Sequence, residues 1–210
     1  METSGLLYAE SLAAGHPNDI HSEGYYATAP SLFHGAIALW QRSLYSLAVA
    51  DYTFVDLGCG KGRVLLMASE YPFRAITGVE LNGKLAAVAR KNLKKWMRRP
   101  RSCRASNVVE GDVLEFPIPA GALVLFLFNS FEAEILRGLV ERLLEASRTR
   151  SEPIDLIYVH PEQDHVIRQT AGFERLADET VSFSAEDTAA DAFQVSLDQC
   201  CVYRLAGRRQ

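Results

Sequence analysis

Gly58, Gly60 and Gly62 alternate in the stretch Tyr-Thr-Phe-Val-Asp-Leu-Gly-Cys-Gly-Lys-Gly-Arg, residues 52–63. An apolar pair, Phe54-Val55, precedes them and leads to an acid, Asp56. An apolar helical pattern follows at once, with Val64, Leu65, Met67 and Ala68. The order is a buried strand, a tight turn and a helix. Glycine is needed where the backbone takes positive φ or lets a ligand come close. The helix start beyond the turn offers free N–H groups and the positive end of a dipole. These features predict a nucleotide-type ligand site at the C-terminal edge of a parallel strand.

The spacing narrows the ligand. A dinucleotide fingerprint requires Gly-x-Gly-x-x-Gly; here the run is Gly-x-Gly-x-Gly, and Arg63 stands at the third glycine's place. A P-loop fails for want of Gly-Lys-Ser/Thr. An acid two residues before the first glycine suits a cationic ligand better than a phosphate. The turn resembles the first motif of class I S-adenosylmethionine-dependent methyltransferases. In that family the acid and the glycines surround the amino-acid end of the cofactor. The resemblance implies cofactor contacts for Asp56, Gly58, Cys59, Gly60 and Gly62.

Three further landmarks follow in order. Arg74 to Glu80 reads as a second strand ending in an acid, a little over twenty residues past Gly58. An acid at that place accepts hydrogen bonds from two ribose hydroxyls; Leu81 beside it joins the expected cofactor contacts. Asn107 to Glu110 is a short strand that ends at Gly111-Asp112-Val113. The resemblance places Asp112 at the adenine amino group and packs Val113 on the ring. Ala122 to Phe128 is a continuous apolar run, which reads as a strand buried on both faces. It stops at Asn129-Ser130-Phe131. In the family this loop borders the transferring methyl group, so Asn129 is expected at both cofactor and acceptor. Many relatives carry Asn-Pro-Phe there, and base-methylating enzymes an Asp/Asn-Pro-Pro-aromatic run. Neither proline is present, so base methylation does not carry over.

The remaining pattern predicts a doubly wound α/β fold: a mostly parallel seven-stranded sheet with an antiparallel last strand and helices on both faces. Helices are expected at residues 31–49, 132–148 and 162–170. Strands are expected at residues 154–159, 173–183 and 192–205, with Ser184 to Asp191 as a polar loop. An amphipathic helix starts near Lys84 and ends before Pro100. It belongs to an acid-free stretch, Lys84 to Arg104, whose cations are expected on a solvated face.

Residues 1–50 are expected to form an N-terminal lid and helical extension, and residues 51–210 the cofactor-binding domain. The polar, aromatic segment from Gly15 to Ala27 has the length of a binding lid. Tyr25, Tyr26, His16 and His21 are its candidates for one wall of the acceptor pocket. Asn129, Phe131, Tyr25 and His160 are the candidate catalytic residues, with His160 or His16 available to an acceptor that must lose a proton.

The chain has 22 basic and 26 acidic side chains, a net charge of −4, which gives no global pull toward nucleic acid. No apolar run reaches membrane-span length, and no secretory signal is visible. The four cysteines lack zinc spacing, so a reducing, cytoplasmic location is expected. No metal-ligand cluster is apparent. The expected activity is methyl transfer by direct displacement to a small molecule or a protein side chain. A cofactor-binding module without turnover and an NAD(P)-dependent oxidoreductase are the alternatives. Oligomeric state has no signature in the sequence.

Overall fold

The computed structural model describes residues 1–7, 15–18, 24–44, 46–103 and 105–207. His21 and Arg104 lie outside the described residues. The chain starts with two short strands, β1 (Leu6–Leu7) and β2 (Tyr25–Tyr26), which pair antiparallel. Helix α1 (Pro30–Gln41) follows, with proline in its first turn, where the missing N–H costs nothing. Then strand and helix alternate: β3 (Thr53–Leu57), α2 (Arg63–Ala68), β4 (Ala75–Glu80), α3 (Gly83–Trp96), β5 (Ser106–Glu110), β6 (Leu123–Phe128), α4 (Ala133–Ser147), β7 (Ile154–Val159) and α5 (Asp164–Arg168). The chain ends with β8 (Phe173–Ser182), α6 (Ala185–Ala190) and β9 (Leu197–Leu205).

The seven-stranded sheet has the order β5-β4-β3-β6-β7-β9-β8. Strands β3 to β7 are parallel, and β9 runs antiparallel between β7 and β8. This is the expected methyltransferase-type sheet. The order reverses between β3 and β6, so a crevice opens beyond their C-terminal ends.

Period-two alternation explains the unbroken apolar run of β6. Val124 and Phe126 join the core on one face with Leu32, Phe33, Ile37, Phe54 and Ile157. Leu123, Leu125 and Leu127 join the other, with Leu136, Leu139, Leu143, Leu156 and Tyr158. Successive strand residues point to opposite faces, and both faces carry helices. Helix α1 is part of this core: Leu32, Phe33, Ala36, Ile37 and Trp40 are all fully buried. Trp40 Nε1 also donates to Asp155 Oδ2 (2.8 Å), and Arg204 binds the same carboxylate through Nε (2.7 Å) and Nη2 (2.8 Å). This buried cluster ties the helix to β7 and β9.

The structure corrects several boundaries. Helix α1 ends at Gln41, not near residue 49, because the Ser43 N–H and hydroxyl both bond the Trp40 carbonyl. The expected loop Ser184 to Asp191 contains α6, which has no apolar periodicity to reveal it. Ser184 caps it by accepting from Asp187 N (3.1 Å), and Asp187 in turn accepts from Ser31 N (2.8 Å). Strand β9 begins at Leu197, not near residue 192. The Asp191 carboxylate accepts from Phe193 N (2.8 Å) and Val195 N (3.1 Å), so these residues form a turn instead. The basic helix α3 is capped by Asn82, buries Leu85, Ala86, Ala89 and Leu93, and exposes Lys91, Lys94 and Lys95. Among the described residues no helix is long and apolar enough to cross a membrane.

Candidate cofactor and acceptor site

The glycine turn sits where the pattern put it, between β3 and α2 at the switch in strand order. All three glycines have positive φ: 75° at Gly58, 52° at Gly60 and 79° at Gly62. Space is tight as well. A Cβ on Gly60 would lie 2.4 Å from the Tyr25 ring, and one on Gly58 would lie 2.8 Å from Ser130. The turn is tied to β4 by Gly58 N and Cys59 N, which both donate to the Val79 carbonyl (2.9 and 3.0 Å).

Glu80, at the tip of β4, is buried and clamps this turn. Its Oε2 accepts from Gly60 N (2.7 Å) and its Oε1 from Asn82 N (2.8 Å). Burial pushes its carboxyl pKa up, and the N–H donors of Asn82, Gly60 and Leu81 pull part of the way back. Asp56 is buried beside it, and its Oδ2 has no hydrogen-bond partner among the described residues. Its carboxyl is pushed well above the usual range, first by burial and then by the Glu80 charge. A buried acid without a partner costs free energy until a cation meets it.

Cys59 lines the cavity, but its Sγ packs toward Gly78, where a Cβ would meet it at 2.6 Å. Burial raises its thiol pKa well above the usual value, which disfavours the thiolate. Asp112 follows β5 and accepts from Leu114 N (2.8 Å) and from Asn18 Nδ2 of the N-terminal segment (2.5 Å). Val113 is buried behind it and Leu81 is half-buried.

A cavity of about 690 Å³ lies beyond β3 and β6, within the size range of small-ligand sites. Asp56, Gly58, Tyr25, Tyr26, Asn129 and His160 all line it. Two residues at its edge hold uncommon backbone conformations, Asn129 with φ 38° and His160 with φ 51°. Such strain is held in place by its surroundings. Asn129 donates to Glu162 Oε2 (3.0 Å) and accepts from the Tyr158 hydroxyl (3.3 Å). His160 Nδ1 lies 3.0 Å from Asp198 Oδ1, and Nε2 lies 3.4 Å from Glu162 Oε1. Burial lowers the His160 pKa, but Asp198 and Glu162 outweigh it, so the net shift is upward.

Tyr25 covers Gly60 and donates its hydroxyl to Thr3 O (2.8 Å); burial pushes its pKa up to about 12. Phe131 is not among the cavity's lining residues. It is buried among Leu57, Val79 and Val113, and Phe128 faces the cavity instead. His16 accepts from Asn18 N (3.2 Å) beside the Asp112 contact, and it too is absent from the lining.

Sequence reasoning missed one wall: Phe183, Phe193, Val195, Leu197 and Asp198. A signal for it existed. An antiparallel last strand must begin where its parallel neighbour ends, and Val159 pairs with Cys200. The residues just before Cys200 therefore lie beside His160.

Residues 54–150 match the family model described as a methyltransferase domain. No curated protein matches the chain. Among solved structures it is similar to the N-methyltransferase NodS from Bradyrhizobium japonicum in complex with S-adenosylhomocysteine. That match has a TM-score of 0.54 and 12% identity, over 86% of this chain and 89% of that one. The magnesium protoporphyrin IX methyltransferase from Synechocystis, with bound S-adenosylmethionine, matches with a TM-score of 0.54 and 11% identity, over 80% and 75%. The cyclase SpnF matches with a TM-score of 0.55 and 15% identity, over 93% and 91%. Identities this low show a shared fold, and a shared fold hosts more than one chemistry. Two features of the site fit the cofactor: a buried carboxyl oxygen, without a partner among the described residues, for a cation, and a glycine turn with no room for a side chain. Residues 54–150 carry a methyltransferase domain, in a chain with the class I methyltransferase fold.

Proposed function

We propose that the chain transfers a methyl group to a small-molecule or protein side-chain acceptor held in the cavity beyond β3 and β6. The observation that carries this reading is Asp56. Asp56 lines the cavity at the point where the strand order reverses, and its buried Oδ2 has no partner among the described residues. In this reading Asp56 takes the cofactor's ammonium end, and the backbone of Gly58, Cys59, Gly60 and Gly62 encloses it. Glu80 and Leu81 take the ribose, and Asp112 and Val113 the adenine. S-adenosylmethionine supplies a methyl group that is electrophilic without further activation.

The chain's own part is orientation and exclusion of water. Asn129 is held on two sides, by Glu162 and Tyr158, at the tip of the central strand. Tyr25 closes the glycine turn, and His160 stands at the cavity's edge. Holding reactants about 3–3.5 Å apart in line supplies most of what such a displacement needs. Phe131 supports the site from below, through packing under Gly58.

Calorimetry with S-adenosylmethionine, S-adenosylhomocysteine and NADH tests the reading. Heat is expected with the first two and none with NADH. Tight NADH binding without any response to S-adenosylhomocysteine would sink it.

A further inference from the structure

The geometry points to an amine on an apolar stem as the methyl acceptor, with His160 as the group that takes its proton. This inference rests on the methyl-transfer reading above and adds the chemistry of the acceptor.

One wall of the cavity is a row of rings. Phe193 and Tyr26 have centroids 6.1 Å apart, Tyr26 and Phe128 6.0 Å, and Phe128 and His160 6.5 Å. At the other end of the row His160 stands between Asp198 and Glu162, at 3.0 and 3.4 Å. One imidazole between two carboxylates carries net negative charge whether or not it is protonated. Among the described lining residues the only Lys or Arg is Arg63, whose guanidinium donates to the Thr28 carbonyl (3.4 Å). The Tyr26 hydroxyl is buried and has no partner among the described residues. Aromatic faces that end in carboxylates favour a cation. They repel an anionic acceptor, and a neutral hydroxyl gains little from them.

The rim adds the stem. Phe193 is 65% exposed and Leu197 57%, and both line the cavity. Large apolar side chains exposed beside a pocket mark a surface that something apolar covers. A primary amine on an aromatic or aliphatic stem places its cation at His160 and its stem over Phe193 and Leu197. A free amine and a lysine side chain both have this form.

An ammonium has no lone pair to attack with, so it must lose a proton first. Neutral His160 donates from Nδ1 to Asp198, which leaves its lone pair on Nε2. The ammonium N–H bond breaks, its electron pair stays on the amine nitrogen, and the proton forms a bond to Nε2. The imidazolium then faces Glu162 from Nε2, and its half-exposed ring returns the proton to water. The amine pair forms the new bond to the methyl carbon as the carbon–sulfur pair leaves with sulfur. Among the described residues Asp198 and Glu162 are the charged groups that face His160, and the ring of Phe128 on β6 packs against it.

The test is calorimetry on the full chain saturated with S-adenosylhomocysteine, with phenethylamine, phenethyl alcohol and Nα-acetyl-lysine amide as probes. Phenethylamine should bind at least about tenfold more tightly than the alcohol, the scale of one charge-assisted hydrogen bond. Asp198→Asn should reduce that preference to about threefold or less. Phe193→Ala, at an exposed position, should weaken both aromatic probes alike. Tighter binding of the lysine derivative assigns a lysine stem, and tighter binding of phenethylamine a free amine; either supports the inference. If S-adenosylhomocysteine binds but the alcohol matches the amine, or no probe binds by about 10 mM, the acceptor assignment is overturned alone. If S-adenosylhomocysteine itself does not bind, the methyl-transfer reading falls with it.

Discussion

Glu80→Ala separates two roles that meet in one side chain. The Glu80 carboxylate is the acceptor for Gly60 N at 2.7 Å and for Asn82 N at 2.8 Å, in a site where the residue is only 8% exposed. Alanine leaves both N–H groups buried without that acceptor. An orphaned buried donor costs about 1–3 kcal/mol. The substitution also removes a charge that repels Asp56, which returns part of that loss. The expected net loss of stability without cofactor is therefore about 2–4 kcal/mol, read from urea unfolding. Affinity for S-adenosylhomocysteine, read by calorimetry, should fall by a further tenfold or more, about 1.4 kcal/mol or above. Glu80→Gln keeps one acceptor oxygen but turns an amide NH₂ toward the other N–H, so it should fall between the two. If stability drops while affinity holds, Glu80 is only a clamp on the turn and the ribose assignment fails. If both stay within about 0.5 kcal/mol of the parent, the clamp fails too.

Asp56→Asn should stabilise the cofactor-free protein at neutral pH and weaken S-adenosylhomocysteine binding by about tenfold or more. The sign follows from its raised carboxyl pKa: its favourable contribution is complete below the unfolded value near 3.8 and is lost as pH rises through the folded one. A melting series from acid to neutral pH should show a smaller decline in the variant, and equal declines would refute the effect. Arg204→Leu should cost about 3–5 kcal/mol, because Asp155 is fully buried and would keep only the Trp40 N–H among the partners described above. Urea unfolding with a loss below about 1 kcal/mol would show that this pair behaves like a surface ion pair.

The sheet was legible because its signal is redundant. Strands β3, β4, β6 and β7 are short apolar runs bounded by acids, glycines or turns, and burial on both faces demands such runs. Helix α4 showed its buried stripe at Ile135, Leu136, Leu139, Val140 and Leu143. What stayed hidden lacks periodicity. Helix α6 buries no residue and is held by Ser184 and by the Asp187–Ser31 contact, made between residues 156 apart in sequence. Nothing local distinguishes it from a polar loop. The turn at residues 191–196 was hidden for a similar reason. Its apolar residues Phe193 and Val195 suggest a strand, but the Asp191 carboxylate captures their N–H groups first.

The glycine turn was more legible than the cavity walls, and the physics gives the reason. A glycine turn binds with its backbone, so its requirements appear directly as residue types at fixed spacing. The side chains between those glycines are then free for other work. Cys59 packs toward Gly78. Lys61 turns from the cavity, donates to the Ser4 carbonyl (3.1 Å), pairs with Glu2 (3.6 Å) and sits 5.2 Å from the Tyr25 ring centroid. Asn92 of α3 accepts from Glu2 N (3.1 Å) and donates to Glu2 O (2.9 Å) and Lys61 O (3.0 Å). The residues that read as cofactor motif thus also anchor the N-terminal segment, whose Leu6, Leu7, Tyr25 and Tyr26 line the cavity. The cavity walls come from that segment, from the tip of β6 and from the start of β9, far apart in sequence. Each contributes a few residues with no spacing rule among them. A site that binds through backbone leaves a motif, and a site assembled from side chains on separate elements becomes visible only when the topology has placed them together.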